Sequence, residues 1–503
     1  MKGAVASGHP LTSMAANNIL EQGGNAFDAI IAAGFASTVA EPTLTSLGGG
    51  GFLLIHDAKN QSDDLIDFFV NSPGLGASGI EAPHMPPVDI KFRSSTQRFH
   101  IGPGSVAVPG TLRGLIYCYE KYCSLDLGDI MRPALEYLRN GIEVNGPMAY
   151  LFHILCPILT YNAYGKEIYY LKEGEMFYNP LLLEFLADLS PENWLARAYG
   201  PDEWDLPGNN YLITGDDLRS YKAFERKPLV IGYREHDIVT NPPPSLGGIL
   251  IALTFALYKQ HFKSDMAEAD RLDLLASAMK VIIEMLGDDR KADRGRFQFA
   301  SDLIESTRRD IDDILMGGSS ISSRGTTHIS VIDADGNAAS MTASNGTNSG
   351  CFLGNTGIIL NNMMGEDDLH PNGFYSLPPG RRVSSMMSPS FIRSGSEILA
   401  VLGSGGSKRI RTAIPQTVLN ILDKGMGAVD SVCAPRIHFD DDGILQIEPG
   451  LDAEIVDQLG KHYDINLWSD LDMYFGGVNI VMKDHSGYGD PRRGGNFMQV
   501  KKG

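Results

Sequence analysis

The stretch Arg324-Gly325-Thr326-Thr327-His328-Ile329-Ser330-Val331-Ile332-Asp333-Ala334-Asp335-Gly336-Asn337 constrains this chain more than any other. Thr327 to Asp333 alternates and is rich in β-branched residues, which is strand character. Ala334-Asp335-Gly336 suits a three-residue loop that closes with glycine in the left-handed region, and Ala338 to Ser344 returns as the second strand. With that loop Ser344 falls opposite Thr326, their β-carbons roughly 5 Å apart. A two-residue turn shifts the register by one and puts Asn345 there instead. Seen alone, such a strand beside an Asp-Gly turn is an ordinary hairpin.

What precedes the hairpin gives it a second meaning. Met316 to Gly325 is a run of glycine and serine with the composition of a flexible linker. A threonine hydroxyl is a poor nucleophile unless a base sits beside it, and the residue's own α-amino group is one such base. That amine is free only if the chain is cut before Thr326. The sequence therefore predicts a precursor that cleaves itself at Gly325–Thr326. Segment 1–325 ends in the linker, segment 326–503 carries the nucleophile, and both belong to one body.

Along the rest of the chain, Pro10 to Gln22 reads as a helix stopped by Gly23-Gly24, and a second helix runs from about Asn25 to Val39. Phe52 to His56 reads as a buried strand, Ser105 to Val108 as another, and Thr111 to Leu218 as mostly helical. A Pro-rich loop, Asn241 to Gly248, feeds an apolar helix near Ile249 to Tyr258, and a charged helical zone covers Met266 to Ile314. Strands follow at Gly357–Leu360, Glu397–Leu402 and Val478–Met482. Helices first and strands clustered later predict a layered α+β body rather than a doubly wound sheet.

The second informative segment is the strand Glu397 to Leu402 running into Gly403-Ser404-Gly405-Gly406-Ser407, with a helix from about Lys408 to Leu422. Glycines let backbone approach a ligand, and free N–H groups at a helix start favour negative charge. Donors placed this way suit the oxyanion of an acyl transfer. A plain glycine turn is the alternative, and the phosphate-loop spacing is absent. Leu377 to Met386 offers Arg381, Arg382, Ser384 and Ser385, which either hold a carboxylate or cap the next segment. His438 with Asp440-Asp441-Asp442 reads as a solvated turn.

Composition narrows the function. A formal net charge of −19 argues against nucleic acid or an anionic membrane surface as partner. Five cysteines without zinc spacing suit a reducing compartment. No apolar run approaches the ~18 residues of a membrane span, and no signal-peptide core follows Met1. The expectation is a cytoplasmic protein with no metal.

Taken together, the motifs resemble the γ-glutamyltranspeptidase family of N-terminal nucleophile hydrolases. The match rests on Ala4 to Pro10, Gly23 to Ala29, Glu41-Pro42 with Gly48 to Phe52, Val108-Pro109-Gly110, and the Pro-Pro-Pro-Ser loop. It continues through Thr326-Thr327-His328, Gly357 to Asn362, Ser384-Ser385-Met386 and Gly403 to Gly406. The resemblance implies a four-layer αββα sandwich, autocatalytic processing into large and small fragments that stay together, and no cofactor; a homodimer of that pair is left open. It makes Thr326 the nucleophile, Ser344 the second hydroxyl, and Gly405 and Gly406 the oxyanion glycines. Departures fall on the substrate side. The family's carboxylate-binding arginine after Asp67-Phe68 is replaced by Phe69. Gly346 stands for an asparagine, with Asn345 beside it. The residue expected to grip a substrate amine is Glu366 rather than aspartate, and the segment from Glu366 to Ser384 is short. Ser384 and Ser385 remain.

Losing an arginine partner costs a carboxylate about 1.5–3 kcal/mol per charged hydrogen bond, and about 1.4 kcal/mol is tenfold. Selectivity for glutamate is thus expected to fall by one or more decades. The leading reading is a threonine-nucleophile amidohydrolase or acyltransferase acting on a γ-glutamyl or related small acyl amide. A cephalosporin-type acylase is the runner-up, and an unprocessed binding protein is the reading outside enzymes.

Overall fold

The Asn25 side chain accepts from the N–H groups of Phe27 and Asp28, while the Asp28 carboxylate accepts from the Asn25 N–H. This reciprocal cap starts the helix Ala26–Ala40, every residue of which is buried. A helix apolar on all sides needs cover on all sides. Here a sheet lies beneath it and the helices Pro10–Glu21, Thr111–Tyr122 and Leu127–Asn140 lie around it. The structure is a computed structural model that describes residues 2–77, 83–91, 96–200, 204, 211–286, 301–316, 325–366 and 373–501.

That sheet has seven antiparallel strands in the order Asn496–Val500, Gly3–Ser7, Thr326–Asp333, Ala338–Ser344, Gly50–Asp57, Ser62–Asp67 and Phe224–Arg226. A second sheet of six strands runs Gly487–Tyr488, Gly477–Met482, Glu397–Gly405, Ser390–Ser394, His236–Thr240 and Leu229–Tyr233. Alternation assigns each side chain to a layer. Val5, Leu53, Ile55, Ile329 and Val331 face the first helix layer. Ala4, Ala6, Phe52, Leu54 and Ile332 join the core shared with the second sheet and the helices Leu246–His261, Glu268–Leu286 and Ile410–Lys424. The result is the αββα sandwich, and neither sheet keeps a solvated face over its centre.

The hairpin has the register that its loop length sets. Thr326 pairs with Ser344 and Ile332 with Ala338, and Gly336 closes the turn at φ +85°. On its inner face Ser330 Oγ donates to the Asn479 carbonyl at 3.0 Å, and Ser340 Oγ donates to the Leu402 carbonyl at 3.1 Å. Asn479 Nδ2 donates to the His328 carbonyl at 2.7 Å. These bonds satisfy polar groups that the second sheet seals from water, and they pin the two sheets at one offset.

Other expectations are corrected. Ser105 to Val108 is no strand: a 3-10 turn, Pro103–Ser105, leads to a single bridge between Val108 and Asn71, because Pro109 cannot continue a ladder. Strands are not gathered late in the chain, since Gly3–Ser7, Gly50–Asp57 and Ser62–Asp67 share the sheet of the hairpin. The helix after the glycines begins as a 3-10 turn, Ser407–Arg409, before Ile410–Lys424. His438 lies fully buried on the strand Ile437–Phe439, its Nδ1 3.0 Å from Thr412 Oγ1, rather than in a solvated turn. Residues 317–324 of the proposed linker lie outside the described residues.

His328 shows how tightly the sheets meet. Its Nδ1 and Nε2 lie 2.8 and 2.9 Å from the hydroxyls of Thr342 and Ser330. A β-carbon at Gly403 would sit 2.3 Å from the ring's Cε1. A ring held at both nitrogens cannot retreat, so Gly403→Ala is expected to cost about 1–3 kcal/mol. The check is a lower apparent melting temperature by scanning fluorimetry; an unchanged value would show that the ring yields.

Candidate active site

Thr326 opens its strand with the side chain on the face turned to the second sheet, and it is buried. Its Oγ1 lies 3.4 Å from Ser344 Oγ, the pair that register alone brings together. Ser344 Oγ donates a 2.5 Å hydrogen bond to the Gly325 carbonyl oxygen and accepts one from the Gly346 N–H at 3.1 Å. That carbonyl belongs to the peptide bond before Thr326. A hydroxyl donating to it draws electron density toward oxygen and leaves the carbon more open to attack. Glycine is required at 325, because a β-carbon would lie 1.9 Å from the Gly346 carbonyl oxygen and 2.9 Å from that of Thr43.

Gly405 ends the second sheet's strand, paired with Gly477, and meets the same spot from the opposite side. A β-carbon on Gly405 would lie 2.4 Å from the Thr326 carbonyl oxygen. Gly406 follows at φ +120°, where a side chain would be strained and would also strike the Gly476 backbone. Thr326, Ser344, Gly405 and Gly406 are therefore gathered at one point between the sheets. His328, two residues from Thr326 on the same face, is no rival base. Burial pushes it down to about 3, and its nitrogens are taken up by hydroxyls.

One participant escaped the sequence reading. Glu41 caps the helix Ala26–Ala40 and is buried. Thr327 Oγ1 donates to its Oε2 at 2.6 Å and Thr12 Oγ1 to its Oε1 at 2.8 Å. Thr327 points to the helix layer, so this carboxyl holds the strand one residue beyond Thr326 from behind. Burial raises it from its ordinary 4.5 to about 7, against the opposing pull of those two hydroxyl bonds. An acidic residue directly after a wholly buried helix of mostly small and apolar residues was the available signal.

The gamma-glutamyltranspeptidase family matches residues 12–500. The chain belongs to that family. It is 30% identical over 476 residues to a glutathione hydrolase proenzyme of Escherichia coli (strain K12), covering 87% of this chain and 81% of the relative. It is 28% identical over 496 residues to the acylase ACY 1 proenzyme of Pseudomonas sp. (strain V22), covering 91% and 86%. In fold it is similar to the crystal structure of a cephalosporin acylase from Bacillus halodurans, with a TM-score of 0.81 at 22% identity over 100% of this chain and 96% of the other. As a γ-glutamyltranspeptidase-family protein the chain is an enzyme, and its αββα architecture is that of the N-terminal nucleophile hydrolases.

Within that family frame the substrate-side residues divide. The Phe69 side chain is fully buried in the core and stacks on Phe52 with ring centroids 5.7 Å apart. Its carbonyl accepts from Tyr221 Oη at 2.7 Å and from Arg382. Arg382, read from sequence as a candidate carboxylate holder, is engaged within the fold. It pairs with Asp67 at 3.2 Å, and its guanidinium lies over the rings of Tyr221 and Phe224. Glu366 is buried against the turn after Ser344, where a β-carbon on Gly346 would lie 2.6 Å from its Oε1. Asn345 braces the same turn, its Nδ2 donating to Asn348 Oδ1 and, at 3.4 Å, to the Ile359 carbonyl. Ser384 is buried, while Ser385 caps: its Oγ accepts from the Met387 N–H at 3.1 Å, and its carbonyl accepts from Ser245 Oγ at 2.8 Å. That bond clamps the Pro-rich loop to the segment.

The Glu41 shift carries a pH prediction. Between 4.5 and about 7 the folded chain keeps a proton that the unfolded chain gives up. Stability from this group is therefore full below the lower value, falls as pH rises, and levels off above the upper one. At about 1.4 kcal/mol per unit the loss is about 3 kcal/mol. Glu41→Gln removes the titration, so the unfolding midpoint of the unsubstituted protein should drop relative to the variant's between about pH 5 and pH 8. Parallel curves would refute the assignment.

Proposed function

We propose that this chain is the precursor of a threonine-nucleophile amidohydrolase or acyltransferase that cuts itself before Thr326 and then acts on a γ-glutamyl or related acyl amide. The observation that carries the reading is the 2.5 Å bond from Ser344 Oγ to the Gly325 carbonyl, with Thr326 Oγ1 alongside. In the first reaction Thr326 Oγ adds to the Gly325 carbonyl carbon, and the C–N bond breaks as nitrogen takes a proton. Water then hydrolyses the resulting ester, freeing the Thr326 α-amine. In the second reaction that amine takes the proton from Thr326 Oγ as the oxygen attacks the substrate amide. The tetrahedral oxygen develops beside the Gly405 and Gly406 backbone; its collapse breaks the substrate C–N bond as the leaving amine takes the proton from the Thr326 ammonium, and water or an acceptor amine then takes the acyl group from Thr326 Oγ.

The sheet order supports fragments that stay together. Thr326–Asp333 is flanked by Gly3–Ser7 on one side, and Ala338–Ser344 by Gly50–Asp57 on the other, so strands from both sides of the cut alternate across the sheet. The relatives named glutathione hydrolase and acylase frame two substrate classes. The burial of the Phe69 side chain in the core and the engagement of Arg382 with Asp67 favour an acylase-like preference, because the family's usual carboxylate clamp is missing.

Intact mass spectrometry tests the first step. The unsubstituted protein should give two fragments, the smaller starting at Thr326, and Thr326→Ala should stay full length and inactive. An unbroken chain after long incubation, in a sample that still turns over amides, would refute the mechanism. Ser344→Ala should slow processing by about 100-fold or more, the usual loss when one donor to a developing oxyanion is removed. Comparing γ-glutamyl with glutaryl anilides then ranks the two acyl classes, since only the first offers Glu366 an amine.

A further inference from the structure

Arg409, buried, and Arg493, half-buried, lie beside the glycines, and neither forms an ion pair among the described residues. Arg493 Nε and Nη1 are sealed from solvent without a hydrogen-bond partner among the described residues, and so is Arg409 Nε. Arg493 Nη2 donates to the Met473 carbonyl at 3.2 Å. Arg409 lies flat over the Tyr474 ring, 3.8 Å from its centroid.

The carboxylates nearby are committed elsewhere. Asp490 pairs with Arg436 at 2.6 Å and Arg492 at 3.2 Å, and Glu448 pairs with Arg492 at 2.6 Å. Asp441 takes Lys408, and Asp440 accepts from Tyr474 Oη. Asp472 caps the turn Met473–Phe475, accepting from the Tyr474 N–H at 2.8 Å. Burial pushes Arg493 down to about 10 and Arg409 adds to the shift, against the opposing pull of Asp490 and Asp472. Buried charge is ordinarily paired, so a pair of cations left over marks a place where an anion binds.

The glycines locate that place. A β-carbon on Gly405 would be 2.4 Å from the Thr326 carbonyl oxygen and 3.6 Å from Arg493 Nη1, so these two atoms are within about 6 Å of each other. A β-carbon on Gly406 would be 3.2 Å from Arg493 Nη2. The Arg493 head and the backbone of Thr326 therefore share one neighbourhood beside Gly405.

We infer that Arg409 and Arg493 form the subsite that binds the terminal carboxylate of the acyl donor, in place of the arginine that Phe69 replaces. This rests on the acyl-transfer reading above and deepens it. Guanidinium groups suit the role, because each presents a planar fork of donors to a carboxylate.

The test compares glutaryl with valeryl p-nitroanilide, which share chain length and differ in the carboxylate. In Arg493→Gln, KM for the glutaryl substrate should rise about 10- to 100-fold, while the valeryl substrate changes little. Arg409→Gln should act in the same direction, and Arg493→Lys should retain part of the preference. An equal loss on both substrates would overturn the proposal. So would a loss confined to anilides that carry the carboxylate on the leaving group. A binding arm separates this from failure of the enzymatic reading: glutarate, but not glutaramide, should raise the melting temperature of the unsubstituted protein and not that of Arg493→Gln. If neither anilide turns over but glutarate still binds through Arg493, the functional reading fails and the subsite stands.

Discussion

Everything at the site depends on how closely two backbones approach where the sheets cross. The end of Glu397–Gly405 meets the start of Thr326–Asp333 with no room for a side chain, and His328 takes up the space above Gly403. Close approach of this kind fails if the sheets slide. The cross-sheet bonds from Ser330, Ser340 and Asn479 prevent sliding, since each would leave a buried polar group unsatisfied if broken. Small side chains along the hairpin allow the contact, and their hydroxyls lock it.

Half of the site was legible from local sequence. The pairing of Thr326 with Ser344 follows from counting residues around Ala334-Asp335-Gly336, because a hairpin's register is set by its loop. The glycines after Leu402 were legible as backbone left open. Contacts made across the fold were not. Glu41 reaches Thr327 across 286 positions, and nothing local to either residue announces the other. The same holds for Arg493, which reads as one more basic residue near the chain end until the glycines are seen against it. The layered class was legible from element types, but the strand order was not: the late-strand pattern hid the fact that Gly3–Ser7 lies inside the main sheet.

The departures that the family resemblance implies on the substrate side share a physical theme. Phe69 turns a place for charge into apolar core, and Arg382, which the sequence offered as compensation, is spent on Asp67 and on backbone carbonyls of the same region. On the proposal above, the charge that meets the acyl tail comes instead from Arg409 and Arg493, beside Gly406. The chemistry of attack uses backbone and hydroxyls and tolerates such a move; recognition of the acyl tail does not.

The place of Gly3–Ser7 in the sheet has a consequence for synthesis. This strand joins Thr326–Asp333 on one edge and Asn496–Val500 on the other. Pairings so distant along the chain form late and slowly. A nascent polypeptide still on the ribosome lacks Asn496–Val500 and, until late, Gly477, so the surroundings of Thr326 are incomplete. On the proposed reading, cleavage before Thr326 waits until Gly477 and Asn496–Val500 have been made and paired.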